Sequence, residues 1–153
     1  MISGLKNRAV PADMKCMLPI SQFFYVSVRS DPHDLAAVQH ILQISRRNNR
    51  RLDVTGCLLL AGSQLAQVLE GRRDAVVPLV AGIAADSRHS DVRALVERQT
   101  SERQYGEWSM GHFDDSGLEG KLQSLLTGAC GHPDAIADVM ARMLPDTVLG
   151  ALR

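Results

Sequence analysis

The sequence predicts an α+β protein: a ferredoxin-like βαββαββ sheet with two helices on one face and two C-terminal helices on the other. Three observations support this prediction. Runs of β-forming residues alternate with segments in which apolar residues recur at helical spacing. Their order, strand–helix–hairpin–helix–strand, is the ferredoxin-like order with one further strand at its end. The two hairpin runs are almost continuously apolar, which is typical of a sheet covered on both faces.

The first predicted strand is FFYVSV, residues 23–28, which is rich in aromatic and β-branched residues. Asp31 is predicted to cap the following helix, with Pro32 at the first helical position, where no N–H is needed. Apolar residues then recur at helical spacing, so one face of this helix is predicted to be buried. The helix is predicted to end in the basic run 46–51, because cations suit the negative end of the helix dipole.

A β-hairpin is predicted next, because two apolar runs lie on either side of a short turn signal. The runs are VTGCLLL at 54–60 and QLAQVLEG at 64–71, and the turn is the Ala-Gly-Ser at 61–63. The other predicted elements of the core are a helix over 73–86, a strand over 91–103 whose pattern a helix would also fit, and a short strand, WSMGHF, over 108–113.

Two more amphipathic helices are predicted in the C-terminal part. A leucine stripe that starts at Leu118 marks the first, and Gly131-His132-Pro133 opens the second. Because parallel strands joined by helices place both core helices on one face, the tail is predicted to pack on the other face. The predicted division is a leader over 1–20, a core domain over 21–114 and a two-helix cap over 115–153.

Composition excludes several classes of function. Of the 153 residues, 45% are hydrophobic, and 17 basic residues balance 17 acidic ones, so we expect no direct nucleic-acid binding. No apolar run approaches the roughly 20 residues of a membrane span, and no signal peptide is visible, which indicates a cytoplasmic protein. The three cysteines form no CxxC pair, so they are read as reduced thiols and no metal site is expected.

The chemistry-bearing residues converge without any standard enzyme motif. Strand alternation places Tyr25 on one face of its strand, and Gln67 shares a face with apolar neighbours. A buried amide must find partners, and a tyrosine hydroxyl would satisfy it. Asn48 and Asn49 add two amides that could bind a polar heterocycle. Taken singly, these residues also fit a core tyrosine, an edge-strand glutamine and helix C-cap asparagines.

Six short motifs occur in order over roughly ninety residues, and together they are far more specific than any one of them. They are Tyr25 in the first strand, SRRNN at 45–49, VTGCLLL at 54–60, QVLEG at 67–71, DSRH at 86–89 and WSM at 108–110. In this arrangement the chain resembles the BLUF domain, a blue-light sensor that binds a flavin. The ferredoxin-like fold of that family agrees with the fold predicted from the pattern.

The resemblance implies a photochemical group. Tyr25 would donate an electron and a proton toward the excited flavin, and Gln67 would bridge Tyr25 and the flavin's polar edge, then rotate or tautomerise. Trp108 and Met110 lie two apart on the predicted last strand and would share a face. The resemblance implies that one of these two lies near Gln67, and it leaves open which.

The resemblance also implies a set of residues that bind the cofactor. Asn49 would hydrogen-bond the polar edge of the ring with support from Asn48, and Ile41 and Ser45 would line the side of the ring. The end of the second helix would meet the far side of the ring or its tail. The full implied set is Tyr25, Ile41, Ser45, Asn48, Asn49, Gln67, Asp86, Arg88 and His89.

The function implied is blue-light sensing rather than enzymatic turnover. FAD is the implied cofactor, and FMN is possible because the ring contacts are common to both. The signal would pass to an unidentified protein partner or to the protein's own homo-oligomer. The competing interpretation is a non-photochemical ferredoxin-like module that binds a ligand or regulates through oligomerisation, since this fold serves many functions.

Overall fold

The computed structural model of the chain describes residues 19–106, 108–128 and 133–144. Within them lie five strands and four α-helices, and a 3₁₀ turn precedes the third helix. The strands are β1 (Ile20–Arg29), β2 (Thr55–Ala61), β3 (Gln64–Gly71), β4 (His89–Thr100) and β5 (Gly111–Asp114). The helices are α1 (Leu35–Leu52), α2 (Arg73–Ala84), α3 (Glu119–Thr127) and α4 (Pro133–Arg142), with the 3₁₀ turn at Ser116–Leu118.

The five strands form one sheet in the order β4-β1-β3-β2-β5. β1 pairs antiparallel with β3 and β4, whereas β2 pairs antiparallel with β3 and parallel with β5. Each helical crossover leaves one strand between the two that it connects, as in a ferredoxin-like sheet. The predicted fold is confirmed, and β5 is the added strand.

Both faces of the sheet are covered, as the apolar hairpin predicted. Along β1, Phe23 and Tyr25 face the side of α1 and α2, whereas Phe24 and Val26 face the side of α3 and α4. The helical residues buried against the first side are Val38, Leu42 and Val76, and those against the second are Leu122, Leu125, Val139 and Met140. The tail helices therefore share a hydrophobic core with the sheet.

The hairpin turn ties three parts of the fold together. Gly62 lies in the turn between β2 and β3 with a φ of 59°, which a residue without a Cβ adopts freely. Arg29 donates from Nη1 to the Gly62 carbonyl at 3.1 Å. The Glu119 carboxylate accepts from the Ser63 backbone N–H at 3.2 Å. The turn is thus bonded to the end of β1 and to the start of α3.

The first helix starts three residues later than predicted, and it ends with Arg50 and Arg51 in its last turn, as the basic run predicted. Asp34, not Asp31, is the N-cap, and its carboxylate accepts from the Ala37 N–H. Asp31 instead accepts from the His33 N–H, which closes a local turn around the proline. The C-cap is Asp53 in the left-handed conformation, so the helix extends past the asparagines. The C-cap interpretation of Asn48 and Asn49 is therefore wrong, because both lie within the helix.

The last strand is shorter than predicted, because β5 begins only at Gly111. The residues before it are irregular, and their carbonyls accept hydrogen bonds from β2 and from α1. The Trp108 carbonyl accepts from Gly56 N–H at 3.0 Å, and the Ser109 carbonyl accepts from Asn49 Nδ2 at 2.7 Å. The prediction that Trp108 and Met110 share a strand face is wrong.

The loop after β4 is pinned to the sheet by a buried carboxylate. Glu70 accepts from the Gln104 N–H at 3.0 Å and the Tyr105 N–H at 2.6 Å. Burial raises the pKa of Glu70, and the loop N–H groups and nearby Arg103 oppose that rise. This attachment places the Tyr105 ring in the core beneath α4, where its hydroxyl donates to the Met140 carbonyl at 2.9 Å.

Several predictions fall outside the described residues. The leader falls there through residue 18, as do the Gly131-His132 opening of the last helix and the end of the chain after residue 144. Residues 91–103, which a helix would also fit, lie mostly in β4, so the strand prediction is confirmed there. No helix in the described ranges is long and apolar enough to cross a membrane.

Candidate functional site

A cavity of about 280 Å³ lies between α1 and α2, with the sheet as its floor. Aliphatic side chains of α1, α2 and the sheet line it together with polar and charged side chains. Of the residues singled out from the sequence, those that line it are Tyr25, Ile41, Ser45, Asn48, Asn49, Gln67, Asp86, Arg88, His89 and Met110. Residues separated by as many as 85 positions in the chain are therefore gathered around one space; Trp108 does not line it.

The floor of the cavity holds a phenol–amide–thioether chain. Tyr25 and Gln67 are direct cross-strand partners on β1 and β3, and the Tyr25 hydroxyl donates to Gln67 Oε1. Gln67 Nε2 donates to the Met110 sulfur at 3.3 Å. An amide nitrogen carries two protons, so one remains for an acceptor in the cavity. The buried glutamine thus has the partners that its burial requires.

Burial keeps Tyr25 neutral. Desolvation, with the charge of Asp86 as a smaller cause, raises the pKa of the Tyr25 hydroxyl far above its usual value. The phenol therefore retains its proton and acts as a hydrogen-bond donor. The His89 ring lies edge-on to the Tyr25 ring, with 6.2 Å between the centroids.

The cavity face of α1 presents polar groups in its last turns. Ser45, Asn48 and Asn49 are three and four residues apart, so they project from one side of the helix. Asn49 is 1% exposed, and one of its Nδ2 protons is used by the Ser109 carbonyl at 2.7 Å. Its Oδ1 and second proton are the groups that a polar ligand edge would meet. Ile41, one turn earlier, adds an apolar wall.

An ion pair and a fixed imidazole form another part of the cavity lining. Asp86 accepts from the Arg88 N–H at 2.9 Å and from its guanidinium, which lowers the pKa of Asp86 to about 2. His89 Nε2 contacts the Ile83 carbonyl, which can only accept, so Nε2 carries the proton. In the neutral ring, Nδ1 then accepts from the Ser27 hydroxyl at 2.9 Å.

Met110 and Trp108 lie on opposite sides of the sheet. Met110 is 3% exposed and belongs to the core of the cavity side. Trp108 packs against the core that α3 and α4 cover. Gly111 allows this close packing, since a Cβ there would lie 2.1 Å from the Trp108 ring. In this structure Met110 is therefore the neighbour of Gln67.

Two contributors to the site were not among the site residues predicted from the sequence. Gly82 lines the cavity, and a Cβ at this position would meet no protein atom within 4 Å. The helical spacing of Leu79, Gly82 and Ile83 was a sequence signal for this position, because it places all three on one face of the helix. Arg46 donates from Nε to the Met110 carbonyl at 3.0 Å, a long-range contact that no local pattern reveals.

The cavity fits a flavin in shape and in the chemistry of its walls. Two aliphatic helix faces and the open space at Gly82 suit a flat ring, and Asn49 and Gln67 offer donors and acceptors to its polar edge. Asn48, Asp86 and Arg88 also line the cavity and add polar and charged groups to its wall. Within the part of the chain that the structure describes, no group of His, Cys, Asp or Glu side chains is placed to hold a metal ion.

Comparison with protein families and curated proteins agrees with this reading. A family model described as BLUF, sensors of blue-light using FAD, matches residues 20–111. The photoactivated adenylate cyclase subunit beta of Euglena gracilis is 34% identical over 111 residues, which are 72% of this chain and 13% of that protein. The chain spans between 10% and 24% of the length of the first three curated relatives.

Solved structures give the same picture. The dark-state structure of BlrB, a BLUF protein, superimposes with a TM-score of 0.66 at 29% identity, covering 79% of this chain and 92% of that one. Klebsiella pneumoniae BlrP1, solved with FMN and cyclic diGMP, superimposes with a TM-score of 0.57 at 26% identity. That match covers 72% of this chain and 35% of BlrP1.

Proposed function

The chain belongs to the BLUF family of blue-light sensors, and we propose that it senses blue light through a flavin held between α1 and α2. The observation that carries the proposal is the bond from the Tyr25 hydroxyl to Gln67 Oε1 in the cavity floor. The remaining Gln67 proton and the Asn49 amide then address the polar edge of the ring. FAD is the proposed cofactor, with FMN as the alternative.

Tyr25 and Gln67 are the proposed photochemical residues. The bound flavin supplies the chromophore and the electron acceptor. Tyr25 supplies an electron and a proton, because its buried phenol is neutral and already donates along a hydrogen bond. Gln67 receives that hydrogen bond, so a change at Tyr25 acts first on the amide. The process is a reversible cycle on a bound cofactor, and no substrate turnover is part of it.

Rearrangement of the Gln67 amide is the proposed switch. Half a turn of the amide exchanges the positions of Oε1 and Nε2. Tautomerisation leaves the atoms in place but moves a proton from Nε2 to Oε1, so Oε1 becomes a donor. In either case the Tyr25 hydroxyl then faces a donor, and rotation also takes from the Met110 sulfur the N–H that it accepts at 3.3 Å. The hydrogen bonds of both Tyr25 and Met110 must therefore change. Met110 conveys this change to the segment before β5.

The proposed output passes through the cap formed by α3 and α4. Trp108 belongs to the core beneath these helices, and Tyr105 bonds to α4, so both lie between the cavity and the cap. Residues 21–114 then form the flavin-binding part and residues 115–153 the output part. A protein partner or a homo-oligomer would receive the signal. Light should change the hydrogen-exchange protection of α3 and α4 more than that of residues 35–45.

A reducing, cytosolic location is proposed from the thiol chemistry. Cys57 is a free, fully buried cysteine in β2, and burial raises its pKa to about 12. A thiol of this kind is unreactive, and three cysteines cannot all pair within one chain, so we propose a compartment in which disulfides do not form.

Absorption spectroscopy of the purified protein tests the proposed function. The protein should contain a flavin whose visible spectrum shifts under blue light and returns in the dark. Tyr25→Phe and Gln67→Leu should retain flavin, and neither should give the normal shift. The competing interpretation, a non-photochemical ligand-binding module, requires that light leave the spectrum unchanged.

Tyr105→Phe is the matched control for Tyr25→Phe. Both tyrosines are fully or almost fully buried, and each hydroxyl donates one hydrogen bond, but Tyr105 lies on the far face of the sheet. The Tyr105 variant should keep the light-induced shift. A normal photocycle in Tyr25→Phe would refute the role given to Tyr25.

A further inference from the structure

The backbone from Trp108 to Met110 decides which side chain reaches Gln67. This stretch precedes β5 and is not part of a strand, although the Trp108 carbonyl accepts from the Gly56 N–H in β2. Its side chains go to opposite sides of the sheet, with the Trp108 ring in the core of the cap and the Met110 sulfur on Gln67. The contacts that fix the peptide planes of residues 108–110 therefore also decide which side chain lies next to the Gln67 amide.

Helix α1 holds two successive carbonyls of this stretch. Asn49 Nδ2 donates to the Ser109 carbonyl at 2.7 Å, and Arg46 Nε donates to the Met110 carbonyl at 3.0 Å. The two donors are three residues apart, so they project from the same side of the helix. Two bonds to adjacent peptide groups constrain the rotation of the backbone between them, and this rotation directs the Met110 side chain.

We propose that Arg46 is a positioning residue, which holds the Met110 sulfur, in place of the Trp108 ring, against Gln67. The proposal rests on the proposed function, in which Gln67 is the switch. Asn49 bonds to the Ser109 carbonyl and is also proposed to bond to the polar edge of the flavin, whereas Arg46 has no assigned contact with the cofactor. The Arg46 bond to a carbonyl is charge-assisted, so it is stronger than a neutral one. Loss of this bond should let the stretch relax and lower the population with Met110 on Gln67.

The chain contains a control for Arg46 in the next residue. Arg47 lies on the same helix and is exposed, whereas Arg46 is half-buried. Arg46→Met keeps the apolar stem and removes the donor, and Arg47→Met makes the same chemical change on the exposed side. The two variants carry the same net charge, so a difference between them reports the contact.

Trp108 provides a readout that does not require light, because it is the single tryptophan of the chain. In flavin-free protein, the acrylamide quenching constant of Trp108 should change about threefold in Arg46→Met and remain at the parent value in Arg47→Met. In flavin-loaded protein, dark recovery after illumination should change about threefold to tenfold in Arg46→Met alone, as expected for one hydrogen bond.

A measurement on the unmodified protein covers the case in which Arg46→Met does not fold. The Arg46 Nε–H resonance should exchange with solvent at least about tenfold more slowly than that of Arg47. Equal exchange of the two groups, or equal quenching and recovery in the two variants, overturns the proposal. Failure of the proposed function has a separate signature: the parent then shows no light-induced shift, while quenching and Nε–H exchange still decide the role of Arg46.

Discussion

Replacing Tyr105 by phenylalanine tests whether a single hydrogen bond fastens the cap to the sheet. The hydroxyl donates to the Met140 carbonyl in α4 at 2.9 Å, and the side chain is fully buried. Phenylalanine keeps the ring and its packing and removes only the donor. The backbone N–H of residue 105 still bonds to Glu70, so the loop itself should remain in place.

The expected magnitude follows from the other partner of the Met140 carbonyl. This oxygen also accepts from the Met143 N–H at 3.1 Å, so it is not left unpaired when the hydroxyl is removed. The loss is therefore the net contribution of one hydrogen bond, about 0.5–1.5 kcal/mol, and not the larger penalty of an orphaned buried acceptor. Burial raises the pKa of Tyr105, so the hydroxyl stays protonated and the difference should not change between about pH 5 and pH 8.

Urea unfolding and hydrogen exchange measure this effect. Tyr105→Phe should lower the free energy of unfolding by the stated amount and raise exchange of the α4 amides about fivefold, while α1 is unchanged. Tyr25→Phe is the control for the exchange of the cap, since its hydroxyl bonds to Gln67 and not to α4. Unfolding free energy and α4 exchange both equal to those of the parent would show that apolar contacts alone fasten the cap.

Three further predictions concern the cavity. Asn49→Ala should raise the flavin dissociation constant roughly tenfold, because the ring edge and the Ser109 carbonyl both lose a partner, whereas Asn48→Ala should have a smaller effect in the same calorimetric titration. Gly82→Ala should stabilise the flavin-free protein to urea by about 0.5–1 kcal/mol, because alanine favours the helix, and should weaken flavin binding, because the Cβ enters the cavity; unchanged affinity would contradict this placement. Asp86 has its pKa lowered to about 2, so its stabilising ion pair is intact above its unfolded pKa near 4 and is lost as the pH falls toward 2. Asp86→Asn should remove that part of the acid-induced loss of unfolding free energy, measured by urea unfolding. The effect should be below about 1 kcal/mol, because the ion pair is partly exposed.

Much of the fold could be predicted because the relevant signals are local and periodic. Alternation along β1 and β3 assigned Tyr25 and Gln67 to faces of their strands, and the structure makes them direct partners. The apolar hairpin predicted helices on both faces, and α3 and α4 provide the second layer. The candidate site residues were identified largely from the order of the motifs, and all of them except Trp108 line the cavity.

Element ends were less predictable because neighbouring residues offer competing hydrogen bonds. Asp31 and Asp34 are both good N-cap residues, and the sequence alone favoured the one before the proline. In the structure Asp31 bonds to the His33 N–H and Asp34 to the Ala37 N–H, so the helix starts three residues later. Such a choice depends on the path of the chain from β1 into α1, which no local pattern contains.

The sequence by itself determined the order of the elements, the two-sided sheet and the pairing of a buried phenol with a buried amide, because each follows from periodicity or from the need to satisfy polar groups. Only the tertiary structure decided that Met110 and not Trp108 lies on Gln67. The stretch that carries both side chains has no strand period, and its carbonyls are held by Asn49, Arg46 and Gly56, which lie some fifty to sixty residues earlier in the chain. The direction of a side chain on irregular backbone is set by such long-range bonds, and these exist only once the helices and the sheet have packed.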